Sequence, residues 1–423
     1  MRITILVIGS RGDVQPMLAL AVGLQRTGRH KIRFAAPDNF ESLTREHGLD
    51  FYPLGLDAQA LLEQGELKAG VESGRNTILW FWQVVRAIRP ILDRLMERTW
   101  LACQDAEMVV FSTIGIGAYH AAEKLGLPCC MATPMPGLAP TRAYPSPGNV
   151  FPTLPLGGGY NRLTHTLSGQ ILQALTGPYI NRWRREKLHL PAIPFGKYPY
   201  NQLHGMPVPI LGSYSSIVVP RPADWGGHIH VTGYWFLDPT PDWQPPARLV
   251  NFIESGSAPV YIGFGSMASR TPRQTTQLVR EALERSGQRG VLATGWGGMD
   301  ATDLPANMLI LDSVPHAWLF PRVSAVVHHG GSGTTGAGLR AGVPSVLVPH
   351  MSDQPFWAEC VEELGVGPRL IPRRQLTAVR LAAAITSAVT DTDMRARATA
   401  LGERIRAEDG VGQAIQIIER CTS

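Results

Sequence analysis

Charge is scarce in this chain of 423 residues: Asp, Glu, Lys and Arg make up 17% of it, against 44% hydrophobic residues. That balance excludes a disordered chain and calls for large buried cores. Cysteine is scarce too. Cys103, Cys129, Cys130, Cys360 and Cys421 show no metal-ligand spacing, and an odd number argues against a closed disulfide framework. No stretch reaches the ~18 consecutive apolar residues of a membrane span. The opening apolar run at 3–8 is too short for a secretory signal. The expectation is a cytoplasmic protein. Its net charge of +5 comes without any long basic run, so nothing indicates nucleic acid. A mild positive balance suits phosphate ligands, or peripheral contact with an anionic membrane.

The length gives a prior of two or three domains. Strand and helix signals alternate throughout, the pattern of an α/β fold built on parallel sheets. A strand at 3–8 turns at Gly9-Ser10-Arg11-Gly12 and enters a helix over 14–27, with further strands at 31–35 and 108–112. The second half repeats this: a strand at 259–263, a turn at Phe264-Gly265-Ser266 and a helix over 273–286. Between the halves, 220–246 is proline-rich and aperiodic, which marks it as a linker between an N-terminal domain (1–219) and a C-terminal one (247–423). Residues 79–101 have helical spacing and carry Trp80, Phe81, Trp82 and Trp100, with Pro90 expected to bend the helix. Residues 134–209 read as loop-heavy.

The segment richest in chemistry is Val326-Val327-His328-His329-Gly330-Gly331-Ser332-Gly333-Thr334-Thr335-Gly336. A strand runs into two histidines and a glycine turn, and a helix begins near Thr334. Backbone N–H groups at such a helix start, unobstructed by side chains, make a cradle for a diphosphate. Ser332 and Thr334 add hydroxyl donors, and His328 can meet a phosphate oxygen. Read literally, 331–336 is also G-x-G-x-x-G with Asp353 about twenty residues on, a dinucleotide fingerprint that would suggest an NAD-dependent oxidoreductase. Most of the second half lies before this loop, however, whereas a dinucleotide fold builds most of its sheet after it. The triplet Asp391-Thr392-Asp393 directly precedes a helical stretch and reads as a cap, so no metal is expected.

The stretch from Val314-Pro315-His316 through His328–Thr335 to Ala341-Gly342-Val343-Pro344 and Asp353-Gln354 resembles family 1 glycosyltransferases of the two-domain GT-B fold. The opening Gly9-Ser10-Arg11-Gly12-Asp13-Val14-Gln15-Pro16 is similar to the sterol glucosyltransferase and glycopeptide glycosyltransferase branches. The resemblance implies two Rossmann-like domains facing across a cleft, with a last helix around 413–420 crossing back to the first. It implies an inverting transfer of a hexose, glucose from UDP-glucose, to a bulky apolar alcohol of sterol, triterpenoid or polyketide type. The nucleotide sugar is a co-substrate, and no cofactor is implied.

On that resemblance Asp13 is the general base. The rival reading of Asp13 is a cap on the helix that follows. Ser10 and Arg11 would reach the donor phosphates; His328, Gly331, Ser332, Gly333 and Thr334 would hold the diphosphate, and Ser266 would bind the donor. Val314 and His316 would line the base, and Asp353 and Gln354 would grip hexose hydroxyls. Where plant relatives carry a base-stacking Trp and a ribose-binding Glu, this chain has Ser313 and Gly336. Trp296 is the alternative aromatic platform. Trp80 and Trp82 offer flat surfaces for a rigid acceptor. Two other classes stay open at this stage, a nucleotide-sugar epimerase and a non-catalytic sugar-nucleotide binder.

Overall fold

The computed structural model describes residues 1–62, 77–137, 139–148, 150–197, 199–264, 272–294 and 305–421. The chain divides into two units, each with its own parallel sheet. Among the described residues the first comprises 1–62, 77–237 and 409–421, and the second 238–408.

The first unit contains β1 (Arg2–Leu6), β2 (Lys31–Ala36), β3 (Asp50–Pro53), β4 (Met108–Ser112) and β5 (Cys129–Thr133). A two-stranded antiparallel hairpin of β6 (Gln202–Leu203) and β7 (Met206–Pro207) precedes β8 (Ile210–Gly212) and β9 (Ile229–Val231). Seven of these strands form one sheet in the order β3-β2-β1-β4-β5-β8-β9. Every residue of β4 and β5 is buried, which fits strands covered by helices on both faces and explains their unbroken apolar runs. Ile5 sits in register with Phe34 on one side and Val110 on the other.

The second unit repeats the plan with β10 (Val260–Gly263), β11 (Gly290–Ala293), β12 (Met308–Leu311), β13 (Ala325–His328) and β14 (Ser345–Leu347). Their order is β12-β11-β10-β13-β14, all parallel. In each sheet the first strand lies between two later ones, so the strand order reverses there and opens a crevice at the C-terminal strand ends.

Three expectations change. The first helix runs Arg11–Arg26 and begins directly after the turn, because Ser10 and not Asp13 is its N-cap. The proline-rich segment 220–246 is not wholly a linker. Its strand β9 pairs with β8, Ile210 opposite Ile229, and the units part between Leu237 and Asp238. Residues 134–209 hold the longest helix described, Gly157–Trp183, which its three opening glycines and Pro178 conceal in the sequence. Around Pro90 the expected bend takes the form of a 3-10 turn, Arg89–Ile91, between the helices Thr77–Ile88 and Leu92–Cys103. The last helix, Gly410–Arg420, packs on Arg11–Arg26 within the first unit. A Cβ on Gly23 would stand 2.4 Å from Val411 Cγ1, so the close approach requires glycine.

One buried ionic cluster braces the first unit. Arg184, 3% exposed, donates to both carboxylate oxygens of Glu123 and to His120 Nδ1. Burial keeps the His120 imidazole neutral. Burial also works against ionising Glu123, but the two hydrogen bonds and the charge of Arg184 outweigh it and hold the carboxyl at about 2. Its folded-state pKa is thus depressed, so the stabilisation is present above the ordinary carboxylate range and is lost as pH falls toward 2. Glu123→Gln is expected to cost about 2–3 kcal/mol near neutral pH, less than the ~3–5 of a fully buried pair because the carboxylate is partly exposed. Urea unfolding at neutral and at acid pH checks this: the difference between wild type and variant should shrink as pH falls below the carboxylate range.

Candidate active site

In the first unit the end of β1 leads into a tight turn. Gly9 adopts φ +146°, and a Cβ there would lie 2.3 Å from Asp13 Oδ2. Glycine is therefore what lets the carboxylate fold back over the turn. Asp13 Oδ2 accepts the Ser10 N–H at 2.8 Å and the Ser10 hydroxyl at 3.1 Å. Asp13 lies in the first turn of the helix Arg11–Arg26, where a negative charge meets the positive end of the dipole. The bonds of this capping box also fix the orientation of the carboxylate. Beside it opens a small, shallow recess lined by Ile8, Asp13, Met17, Ser112, Thr133 and Ser213. Two of its hydroxyls, at the ends of β4 and β5, serve the backbone: Ser112 Oγ accepts the Ile8 N–H at 3.3 Å, and Thr133 Oγ donates to the Met135 carbonyl at 2.7 Å. Arg11, at the first helical position, is exposed.

In the second unit β13 ends at His328, opposite Gly263 of β10 and so at the point where the strand order reverses. His328 is fully buried, and its Nδ1 accepts the Gly330 N–H at 3.1 Å. That bond leaves the ring proton on Nε2, which has no hydrogen-bond partner. Burial, then His329 and His316, push its pKa well below the ordinary histidine value. The side chain is therefore a neutral donor. Gly330 has φ +91°, and a Cβ there would come within 3.0 Å of the Gln354 carbonyl. Gly331 is the N-cap of the helix Ser332–Ala341, which begins two residues earlier than expected. Ser332, Gly333 and Thr334 form its first turn, where backbone N–H groups have no acceptor inside the helix. His329 fills the space under the turn: a Cβ on Gly331 would stand 2.6 Å from its Nε2, and burial lowers its pKa to about 4.

After β14 the chain bends at Ser352, whose φ of +58° is unusual for a residue with a side chain. Asp353 follows as N-cap of the helix Gln354–Glu363, and its Oδ2 accepts the Trp357 indole N–H at 2.9 Å. Burial raises the Asp353 pKa, and the Trp357 bond offsets part of that rise. Gln354 is buried; its Oε1 accepts the N–H groups of His350 at 2.8 Å and Met351 at 3.2 Å. That acceptor shapes the bend. Val314 packs on the apolar core of its unit. The His316 ring stacks on Phe320 at 4.2 Å, with Nε2 3.5 Å from the Tyr261 hydroxyl.

Ser10, Arg11 and Asp13 thus belong to the first unit; Val314, His316, His328, Gly331–Thr334, Asp353 and Gln354 belong to the second. Ser266 and Trp296 lie outside the described residues, as does the side chain of Trp80. Trp82 is 44% exposed, with the Arg86 guanidinium over its ring at 5.4 Å. Sequence reasoning missed His350. Its two ring nitrogens are buried without a hydrogen-bond partner, and burial, His329 and Arg373 lower its pKa to about 3. Its place three residues before Asp353 was the available signal. Asp391 caps the helix Thr392–Arg406 by accepting the Met394 N–H. Among the described residues no group of three His, Cys, Asp or Glu side chains could hold a metal, and no helix is long and apolar enough to cross a membrane.

Residues 3–145 match the glycosyltransferase family 28 N-terminal domain, and residues 293–419 match the erythromycin biosynthesis protein CIII-like C-terminal domain. Over 99% of its length the chain is 39% identical to a sterol 3-beta-glucosyltransferase of Cryptococcus neoformans var. neoformans serotype D, covering 27% of that protein. A sterol 3-beta-glucosyltransferase of Emericella nidulans is likewise 39% identical over 99% of the chain, which covers 30% of it. The chain therefore spans less than a third of the length of these relatives. The structure of the glycotransferase of kitacinnamycin superposes with a TM-score of 0.71 at 22% identity, covering 100% of this chain and 99% of that one. At that identity the likeness concerns the fold.

The tight packing of the glycine turn is directly testable. Gly331→Ala sets a methyl group against His329 and is expected to lower stability by the ~1–3 kcal/mol that overpacking costs. Urea unfolding measures it, and an unchanged midpoint would show that the turn tolerates a side chain.

Proposed function

From a chain that belongs to the two-domain glycosyltransferases, its first unit carrying the family 28 N-terminal domain and its second the EryCIII-like C-terminal domain, we propose that it transfers glucose from UDP-glucose, with inversion, to the hydroxyl of a sterol or another bulky apolar alcohol. The observation that carries the reading is the Asp13 carboxylate, oriented by Ser10 and set beside a recess at the C-terminal ends of the first sheet. Ligands of open parallel sheets bind at such ends. The name shared by the two fungal relatives supports glucose and a sterol.

Each unit supplies one half of the chemistry. Asp13 takes the proton of the acceptor hydroxyl as its oxygen bonds to the anomeric carbon. The bond from that carbon to the diphosphate oxygen breaks on the opposite side, which inverts the centre. The departing diphosphate gathers charge, and the donors proposed to receive it are the first N–H groups of the helix Ser332–Ala341 and the His328 Nε2–H. A neutral donor serves here because hydrogen bonding strengthens as the oxygen becomes anionic. Asp353, fixed by Trp357, binds hexose hydroxyls, and Gln354 holds the bend that presents it. Val314 and His316 line the base through main-chain groups. Trp82 contacts the acceptor's ring system.

Two substitutions test the parts separately. Asp13→Asn keeps the shape but cannot take a proton, so kcat should fall by ~10²–10⁴ with uridine diphosphate affinity within a few-fold of wild type. Near-normal turnover in a sterol-glucoside assay would remove Asp13 from the mechanism. Trp82→Ala should raise the acceptor KM several-fold, the loss of one aromatic contact being worth ~1 kcal/mol or more. Uridine diphosphate affinity and melting temperature should not move, and an unchanged acceptor KM would take the ring out of the acceptor site.

A further inference from the structure

Two of the five cysteines, far apart in the sequence, are brought into contact by the fold. Cys130 of β5 and Cys421, at the end of the helix Gly410–Arg420, stand 291 positions apart, yet their Sγ atoms are 3.7 Å from each other. Side chains of a strand alternate between the faces of its sheet. Cys129 and Met131 accordingly enter the core cluster with Val109 and Phe111, and Cys130 points the other way, toward the last helix. An odd number of cysteines excludes a fully paired set, but not one pair beside three lone thiols.

Packing holds that helix at both ends. Val411 fits against Gly23 at its start, and in its last turn Glu419 Oε1 lies 2.9 Å from His30 Nε2 and 2.8 Å from the Arg29 guanidinium. The sulfur contact is therefore set by the packed seam between the helix and the first unit. The two thiols are unequal. Cys130 is fully buried, and its S–H donates to Cys421 Sγ. Cys421 is half-buried, and its own S–H donates to the Ile417 carbonyl at 3.1 Å. The bond from Cys130, and then Arg420, draw the Cys421 thiol below its ordinary pKa against the effect of partial burial. The same bond, together with burial, keeps Cys130 protonated. Cys421 is thus the thiol that ionises first and meets solvent, with Cys130 directly behind it. Burial pushes the thiols of Cys103, Cys129 and Cys360 up to about 12, so they do not compete as nucleophiles.

We propose that Cys130 and Cys421 are a thiol pair that a low-molecular-weight disulfide oxidises to a reversible disulfide, fastening the last helix to β5. The Cys421 thiolate attacks one sulfur of the small disulfide. That S–S bond breaks, a mixed disulfide forms on Cys421, and the first small thiolate leaves and takes up the proton that Cys421 gave up. Cys130 then loses its proton as its sulfur attacks Cys421 Sγ, and the second small thiolate leaves and takes up that proton. Two protein thiols are oxidised, and one small disulfide is reduced to two thiols. The second step is fast because its partners already touch. The loop so closed contains the whole described second unit, 238–408, so the link constrains the unfolded chain over a long span.

The test treats the reduced full chain with oxidised glutathione, traps the remaining thiols with N-ethylmaleimide under denaturing conditions and maps the products by tandem mass spectrometry. A cross-link between the peptides bearing Cys130 and Cys421 is expected, with the other three cysteines trapped as thiols. Cys421→Ser should abolish the cross-link, and Cys129→Ser should leave it intact. Cys130→Ser should stop the reaction at a glutathione adduct on Cys421. The oxidised chain should melt several degrees above the reduced one, and dithiothreitol should reverse both changes. A glutathione adduct that persists on Cys421 in the wild type would overturn the proposal, as would recovery of all five thiols. A cross-link through Cys129, or a disulfide joining two copies of the chain, would give Cys421 another partner and overturn it as well. An unchanged melting temperature in the cross-linked chain would show that the link fastens nothing.

Discussion

Where a parallel sheet has its first strand between two later ones, the crossover helices on either side leave in opposite directions. The C-terminal end of that strand is then left without a helix across it. Both units are built this way, around β1 and around β10. At the ends of β1 and of β13, which is paired with β10, the backbone turns sharply and starts a helix within three or four residues, and glycines make that possible. Gly9 gives room to the Asp13 carboxylate, Gly330 to the Gln354 backbone and Gly331 to the His329 ring. The chemistry proposed for the protein therefore depends on a steric allowance: without those hydrogens-only positions the functional side chains could not be where they are.

Burial decides the electrostatics of the second unit. Its strand end holds His328, His329 and His350, and all three have lowered pKa values because the charged imidazolium would lose its hydration. Three adjacent cations would repel one another and the nearby Arg373. Neutral rings avoid that cost and still offer N–H donors, so the proposed site would stabilise negative charge by dipoles, those of the helix Ser332–Ala341 included. Asp353 sits in the same environment, and its raised pKa has the same origin.

Much of this was legible in the sequence because the strand-turn-helix junctions are local. The run from Val326 to Gly336 shows its strand, turn and helix by residue type alone, and Gly9-Ser10-Arg11-Gly12-Asp13 shows the first junction. The helix boundaries came out late by two or three residues at both, since a cap is settled by hydrogen bonds and not by apolar periodicity. Long-range features were not legible. The helix Gly157–Trp183 opens on three glycines and its apolar residues follow no strong stripe. Strand β9 is only three residues long and lies among prolines; its identity depends on pairing with β8. The neutrality of His328 required knowing that both its neighbours and its depth are fixed by the sheet. His350 looked ordinary because nothing adjacent in sequence marks its burial.

The central claim is a single displacement at the anomeric carbon, with a carboxylate in the first unit taking the acceptor proton and a helix start in the second receiving the diphosphate. The product's anomeric configuration tests that claim most directly. Starting from the α-linked donor UDP-glucose and a sterol, proton NMR of the purified glucoside should show the large H1–H2 coupling of a β-linkage. A product with the small coupling of an α-linkage would mean retention, and would contradict the account of Asp13 as a base in a one-step transfer.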